Sequence, residues 1–196
     1  MYLLRYFMIL LYGILTTLTL TAQEQRSANY ITSTMSFGLC SGEQEIGVGL
    51  PFSVGWQKRM GKKQKLYINP TLFNGGFRPV AISDTRDQFF RMSMVSIQLH
   101  YDLIRYNRVA LQTSGGAFLS YSRGLFGTGG DPEFNHQSSS YFYKIYYGFQ
   151  VSLGIRVEAK NKKRAFRLIP LTVHMGNNDF LLGYISFGVD FRLSNE

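Results

Sequence analysis

Apolar residues alternate with small or polar residues over two long segments, and this period of two is the strongest constraint in the sequence. Between residues 141 and 158 every odd position is apolar or aromatic, whereas the even positions hold the glycines, the polar residues and the charges. Between Ile46 and Trp56 the apolar residues occupy the even positions instead. Such alternation puts the apolar side chains of a strand on one face, whereas a helix would scatter them around its circumference. Both segments are therefore predicted to be β-strands.

The same pattern extends to eight segments of the chain. We predict strands at residues 29–40, 45–59, 65–77, 89–105, 109–125, 141–159, 165–176 and 180–193. The connections near residue 61, at 105–108 and at 160–163 are short and basic, whereas those at 41–45, 78–88, 127–140 and 176–179 carry more Gly, Ser, Asn or acidic residues. The two kinds alternate along the chain, as an up-and-down meander requires. The predicted fold is all-β: an eight-stranded antiparallel barrel with three turns and both termini at one end and four loops at the other.

The composition of the two strand faces indicates which face points outward. The polar face is mostly Gly, Ser, Thr and Gln, which would coat a soluble barrel such as a lipocalin poorly but would fill a narrow lumen well. The apolar face is bulkier than an eight-stranded interior can hold. Its aromatic members are Trp56, Tyr101, Phe149, Phe187 and Phe191. We therefore predict that the apolar face contacts lipid and that the chain is a transmembrane barrel.

The N-terminal segment has the features of a secretory signal. Residues 1–22 contain a single charge, Arg5, followed by an apolar run at 6–20 and a small residue, Ala22. The run is shorter than the roughly 20 apolar residues that a spanning helix needs. We predict a signal peptide at 1–22, cleaved after Ala22, and a barrel domain at 23–196. The alternative is an uncleaved anchor helix.

The last predicted strand carries the most specific motif in the chain, within the stretch SFGVDFRL. Ser186, Gly188, Phe191 and Leu193 match the polar residue, the glycine and the two hydrophobic residues of the C-terminal assembly signal in small eight-stranded bacterial outer-membrane proteins of the OmpA/OmpX kind. The chain resembles this family as a pattern over 23–196, although three residues follow Leu193 where the family often ends on an aromatic residue.

This resemblance implies a location in the bacterial outer membrane with both termini in the periplasm. It also implies outer-membrane lipids as the surroundings of the barrel and recognition of the last strand by the barrel-assembly machinery. We expect a monomer without a peptidoglycan-binding domain, and the partner of the external loops is left open.

Charged residues fall on the inward face near the turn end of three predicted strands. They are His100, Asp102, Arg156, Glu158, Asp190 and Arg192. A charge in a low-dielectric interior is costly unless it is paired. Because the fourth and eighth strands lie opposite each other in an eight-stranded cylinder, Asp102 and Arg192 are predicted to meet across the lumen. We interpret the set as a structural plug; the alternative is a selectivity ring in an open pore.

The net charge is +9, and the basic and acidic residues concentrate at opposite ends of the predicted barrel. Twelve of 21 basic residues cluster at the turn end: Lys58, Arg59, Lys62, Lys63, Lys65, Arg105, Arg108, Lys160, Lys162, Lys163, Arg164 and Arg167. Seven of 12 acidic residues lie in the predicted loops. This separation does not form a groove for nucleic acid, so we expect no nucleic-acid partner. The basic turns are either solvated hairpin tips or a surface attracted to anionic phospholipid head groups of the inner leaflet.

Few residues offer chemistry. The single cysteine, Cys40, excludes an intramolecular disulfide and any multi-cysteine metal site. His174 resembles the histidine of lipid-deacylating barrels, but Gly176 occupies the place of their serine nucleophile. We expect no catalytic residue, cofactor or metal. The predicted role is structural or a surface interaction, with a small-solute channel or a lipid A-modifying enzyme as the alternatives.

Overall fold

The chain folds into one closed antiparallel barrel in which each strand pairs with its sequence neighbours and β1 pairs with β8. The computed structural model describes residues 29–43, 46–60, 65–78, 89–131, 136–160 and 163–193. The predicted signal peptide at 1–22 lies outside these residues. The strands are β1 (Asn29–Ser41), β2 (Ile46–Met60), β3 (Leu66–Arg78), β4 (Phe90–Tyr106), β5 (Val109–Asp131), β6 (His136–Glu158), β7 (Arg164–Gly176) and β8 (Leu181–Leu193).

The eight predicted strands are confirmed, and the only boundaries displaced by more than one residue are those of the β5–β6 hairpin. The predicted loop at 127–140 is wrong, because β5 continues to Asp131 and pairs there with His136. The Gly and Ser residues of this stretch are typical of loops. Backbone pairing between the two strands nevertheless continues through them, with one irregularity between Gly127 and Gly129. The hairpin is therefore longer than the composition indicated.

The strand register sets the width of the barrel. Followed from strand to strand, the pairing that starts at Asn29 returns to β1 at Leu39, ten residues further along. With standard strand spacings, eight strands and this stagger give a tilt of about 40° and a backbone radius of about 8 Å. Side chains from opposite walls can therefore meet inside such a barrel.

The predicted direction of the two faces is confirmed. On β6, Phe149 is 73% exposed whereas Gln150, the next residue, is 2% exposed. The aromatic residues predicted to face lipid are all exposed on the outer surface. Among the described residues there is no helix long and apolar enough to cross a membrane. The barrel thus presents an apolar exterior while its backbone hydrogen bonds are closed within the sheet.

Two tight turns depend on residues that tolerate a positive φ. Asn107 has φ of 53° in the two-residue connection between β4 and β5. Between β7 and β8, Asn178 and Asp179 have φ of 54° and 55°, and the amide of Phe180 donates to the carbonyl of Asn177 at 3.2 Å. Asn and Asp adopt this left-handed conformation more readily than other side-chain-bearing residues. The predicted loop at 176–179 is therefore a tight turn.

Candidate functional site in the barrel lumen

The interior of the barrel contains two layers of different chemistry. Near the short turns, polar and charged side chains from all eight strands form one connected group. We call it the turn-end network, and its members are Tyr30, Arg59, Tyr67, Asp102, Arg105, Gln112, Arg156, Glu158, Arg167 and Asp190. Nearer the loops, the interior is filled by aromatic and aliphatic side chains.

Arg156 on β6 lies at the centre of the turn-end network and is fully buried. Its Nε donates to Oδ2 of Asp190 at 3.1 Å, and its Nη1 donates to Oε1 of Glu158 at 3.1 Å. The same Nη1 lies 3.2 Å from the hydroxyl of Tyr67. The guanidinium also lies over the rings of Tyr30 and Tyr67, with its Cζ 4.8 and 5.4 Å from their centroids. Ion pairs, a hydroxyl and two aromatic faces thus replace the water that Arg156 loses.

The two carboxylates beside Arg156 each contact further arginines. Oε1 of Glu158 accepts from Arg59 at 2.7 Å and from Arg105 at 3.2 Å. Oδ1 of Asp190 lies 2.8 Å from Nε of Arg167, which forms a second ion pair with this carboxylate. Each carboxylate is therefore shared by at least two arginines.

Asp102 belongs to the same network, but its partner differs from the predicted one. Its Oδ2 forms an ion pair with Arg105 at 2.9 Å and accepts from the Tyr67 hydroxyl at 3.0 Å, and its Oδ1 accepts from Gln112 at 2.5 Å. Arg192 is exposed next to the end of β8. The predicted Asp102–Arg192 pair is therefore wrong, because a nearer arginine on the same strand neutralises the carboxylate.

The other charged residues predicted for the lumen do lie there, and three arginines join them. His100 is buried, with Nε2 3.3 Å from the side-chain nitrogen of Asn69. The joining arginines are Arg59, Arg105 and Arg167, which the sequence placed in the basic cluster of the turns. Strand alternation could have identified Arg59 and Arg167, since both occupy inward positions. Arg105 faces the network only because the register of β4 shifts between Asp102 and Ile104.

The loop-end layer is an aromatic cluster that composition did not predict. Its members are Cys40, Phe73, Phe77, Phe90, Met92, Met94, Phe118, Phe142, Tyr146, Phe180 and Leu182. Phe77 stacks on Phe90 with ring centroids 5.1 Å apart, and Tyr146 stacks on Phe180 at 4.5 Å. The prediction that Gly, Ser, Thr and Gln fill the lumen therefore fails for the loop-end layer.

His174 packs against the loop-end aromatic cluster. Its Nε2 is 2.9 Å from the hydroxyl of Tyr184, and its ring lies 5.0 Å from that of Phe118 and 6.5 Å from that of Phe73. The side chain is buried inside the lumen, away from the lipid-facing surface. This environment fits a packed histidine, because its neighbours are aromatic rings and one tyrosine hydroxyl.

The four residues of the assembly motif occupy both faces of β8. Ser186 points inward, where its Oγ lies 2.8 Å from that of Ser36. Gly188 also points inward, and a Cβ at this position would lie 2.6 Å from Cγ2 of Thr34. Phe191 and Leu193 lie on the outer surface. The motif therefore presents its two hydrophobic side chains outward.

Solved structures with the same fold include outer-membrane proteins. Neisserial surface protein A (NspA) aligns with a TM-score of 0.58 and 15% identity over 86% of this chain and 100% of its own. A major outer membrane protein from Thermus thermophilus aligns with a TM-score of 0.55 and 9% identity over 86% and 100%. Ail, the attachment invasion locus protein of Yersinia pestis, in complex with the heparin analogue sucrose octasulfate, gives 0.50 and 12% over 85% and 97%.

The chain therefore has the fold of the small eight-stranded outer-membrane β-barrels, as the resemblance of its last strand implied. No family model and no curated protein matches the sequence.

Proposed function

We propose that this protein is an outer-membrane barrel with a sealed lumen, which serves as a membrane-anchored scaffold for surface interactions. The observation that carries the proposal is that side chains from several strands meet in the lumen at two heights, in the turn-end network and in the loop-end aromatic cluster. A barrel that is closed inside has no path for solutes. Its contacts with other molecules are then made by its ends and its outer surface.

The turn-end network closes the lumen because its contacts join opposite walls. In a ring of eight strands, β2 and β6 are diametrically opposed, and Arg59 on β2 lies 2.7 Å from Glu158 on β6. Tyr67 on β3 also reaches Arg156 on β6, three strands away around the ring. With a backbone radius of about 8 Å, these side chains leave little open cross-section.

The β5–β6 hairpin is the part of the scaffold best placed to meet a partner. β4 pairs with β5 up to Gly124, and β7 pairs with β6 up to Gly148. Beyond these residues the two strands pair with each other as far as Asp131 and His136. Within the described chain, both outer edges of this extension lack a neighbouring strand, and an edge of this kind can accept a strand from another protein. One barrel of the same fold is Ail, the attachment invasion locus protein of Yersinia pestis.

The orientation of the barrel completes the proposal. Residues 29 and 193 lie at the end that carries the short turns, so an exported chain would keep this end in the periplasm and expose the loops. The test is a cysteine at Asn178, in the loop-end turn, compared with one at Lys160 in a short turn. An impermeant thiol reagent on intact cells should label only the first. The native Cys40 is buried, so it should not react and the wild-type protein serves as the unlabelled control. Labelling at position 160 but not at 178 would mean that the barrel has the opposite orientation.

Conductance in planar bilayers tests the sealed lumen directly. The wild-type barrel should give no discrete current steps above a protein-free bilayer. Arg156→Ser removes a bulky side chain from one layer and Phe118→Ser removes one from the other. If both layers seal the lumen, steps should appear only when the two changes are combined. Steady current steps in the wild type would contradict the sealed scaffold and favour a small-solute channel.

Shortening the hairpin separates its role from that of the barrel. Leu125 and Tyr141 are cross-strand partners, so residues 126–140 can be replaced by Asn-Gly, which favours a two-residue hairpin turn. The shortened barrel should keep the heat-dependent gel shift and the urea midpoint of the wild type. A large loss of stability would make the extension part of the barrel's own structure and would remove the argument for a surface role.

The motif on β8 supports a second contact, with the barrel-assembly machinery. We propose that Phe191 and Leu193 are recognised as the last strand is added, because they project outward while Ser186 and Gly188 pack inside. Replacing Phe191 by Ser should lower the amount of assembled barrel in cells more than it lowers stability in detergent. Equal losses in the two measurements would indicate a packing role only.

A further inference from the structure

Besides Arg78, the last residue of β3, two arginines interrupt the apolar exterior of the barrel near its loop end. Arg91 on β4 and Arg123 on β5 are exposed and stand directly opposite each other in the register of the two strands. We call them the exterior arginine pair. Cζ of Arg91 lies 5.9 Å from the ring centroid of Phe89, so its position is partly fixed by an aromatic contact. Both side chains lie on the face that carries Val95, Leu119 and Tyr121 elsewhere on these strands.

This arrangement of charges is unfavourable unless an anion lies between them. Like charges directly opposite each other on neighbouring strands destabilise a sheet. In the part of the chain that the structure describes, no carboxylate forms an ion pair with either guanidinium, whereas the arginines of the turn-end network all have one. A single phosphate can accept hydrogen bonds from two guanidinium groups at once.

The cross-strand positions next to the exterior arginine pair provide space and further polar groups. Gly76 is the cross-strand neighbour of Arg91 on β3, and a Cβ built at Gly76 meets nothing within 4 Å. One rung nearer the membrane centre, Asn74 and Ser93 also face outward, and Nδ2 of Asn74 donates to Oγ of Ser93 at 2.9 Å. The open position at Gly76 leaves room for a bulky group against Arg91.

An apolar groove continues from this polar step along the outer surface. Asn74 and Ser93 form one end of its lining, and Leu72, Val95 and Leu119 lie beyond them. The groove has a volume of ≈ 540 Å³ and is open to the lipid side. Cationic, polar and apolar surfaces therefore follow one another in the order of a lipid's phosphate, backbone and acyl chain.

We propose that this surface binds a phosphorylated lipid, with its phosphate between Arg91 and Arg123 and an acyl chain in the groove. The site needs only the fold and the lipid-facing exterior. The statement that the lipid lies in the outer leaflet rests on the proposed orientation of the barrel.

The experiment uses three probes that separate lipid phosphate from its two components. The barrel is refolded in a phosphate-free neutral detergent, and phosphatidic acid, diacylglycerol with the same acyl chains, or inorganic phosphate is added. Native mass spectrometry then counts the probe molecules retained per barrel. Phosphatidic acid should be retained at one per barrel with at least tenfold higher affinity than either other probe. Because micelles have no leaflets, this result does not depend on the orientation.

Matched charge variants locate the site. Arg91→Ala combined with Arg123→Ala should lower the affinity for phosphatidic acid at least tenfold. Arg108→Ala combined with Lys160→Ala removes the same charge from exposed positions at the turn end and should leave the affinity unchanged. Equal losses in both variants would mean non-specific attraction by net charge, and equal retention of inorganic phosphate would mean an anion site without a lipid. Either result overturns the proposal.

A stability measurement provides a second readout that does not depend on retention of the probe. Arg123→Ala relieves the like-charge contact, so it should raise the urea midpoint in neutral detergent. Phosphatidic acid should raise the midpoint of the wild type and not that of the variant. If Arg123→Ala lowers the midpoint without lipid, the pair is already neutralised within the protein and the proposal fails.

Discussion

Removal of Asp190 should destabilise the barrel more than removal of Arg156, although the two form one ion pair. Asp190→Asn leaves two buried arginines, Arg156 and Arg167, without the carboxylate that lies between them. Arg156→Met leaves Asp190 with Arg167 and Glu158 with Arg59 and Arg105, so both carboxylates keep a partner. The asymmetry follows from the number of charges stranded by each change.

The contact geometry sets the magnitudes. At 3.1 Å and an effective dielectric constant of about 20, one such pair attracts by about 5 kcal/mol before the cost of desolvation is subtracted. Breaking a buried pair costs about 3 to 5 kcal/mol. We therefore expect about 5 kcal/mol for Asp190→Asn and about 3 kcal/mol for Arg156→Met. The double variant should lose about 2 kcal/mol less than the sum, since residues in one network couple by about 0.5 to 3 kcal/mol.

The assay is equilibrium urea unfolding and refolding in phospholipid vesicles for the four members of the cycle. A control cycle combines Arg156→Met with Ser36→Ala, which lies six residues, or about 20 Å, along β1 from Tyr30. The control should be additive within about 0.5 kcal/mol. The reasoning is refuted if the Arg156–Asp190 cycle is equally additive, or if Arg156→Met is the more damaging of the two single changes.

Two further predictions concern the outer and inner faces of the sheet. Val151→Arg should lower the free energy of unfolding by about 2 to 4 kcal/mol because it puts a charge in hydrocarbon. Val109→Arg, at the turn end, should lower it by only about 0 to 1 kcal/mol. Equal losses in vesicles would contradict the placement of Val151 near the middle of the membrane. Gly148→Ala should cost about 1 to 3 kcal/mol by crowding, since its Cβ would lie 2.0 Å from the carbonyl oxygen of Met175, whereas Gly183→Ala meets nothing within 4 Å. A urea midpoint lowered as much by the second change as by the first would rule out crowding as the cause.

Alternation was sufficient to predict the fold because a strand has only two faces. Once Phe149 and Val151 face lipid, Gln150 and Arg156 must face the lumen, and the same rule holds along each strand as far as its first irregularity. Arg59 and Arg167 obeyed the rule, although their position beside basic turns suggested solvent. Parity along the strand was the better guide to both residues.

Other features depend on tertiary geometry that no local pattern contains. Arg105 turns inward at an irregularity of β4, and such an irregularity reverses the parity of every residue after it. The contact between Arg59 and Glu158 depends on the stagger of ten residues, which sets the strands' relative heights only when the ring is closed. The length of the β5–β6 hairpin could not be predicted from composition, because Gly and Ser residues usually indicate loops but are also compatible with a paired backbone.

The seam between β1 and β8 has a consequence for how the chain reaches this state. All 13 residues of β1 pair with β8, and the contact from Ser36 to Ser186 spans 150 residues of sequence. Until β8 is in place, one edge of β1 has no partner, and an unpaired edge is not tolerated within hydrocarbon. Contacts this distant in sequence also form slowly, because a long loop must close first. The first strand of the barrel to be synthesised is therefore the last to gain its second neighbour. Because an open edge is not tolerated in hydrocarbon, the barrel inserts into the membrane and closes in one cooperative event.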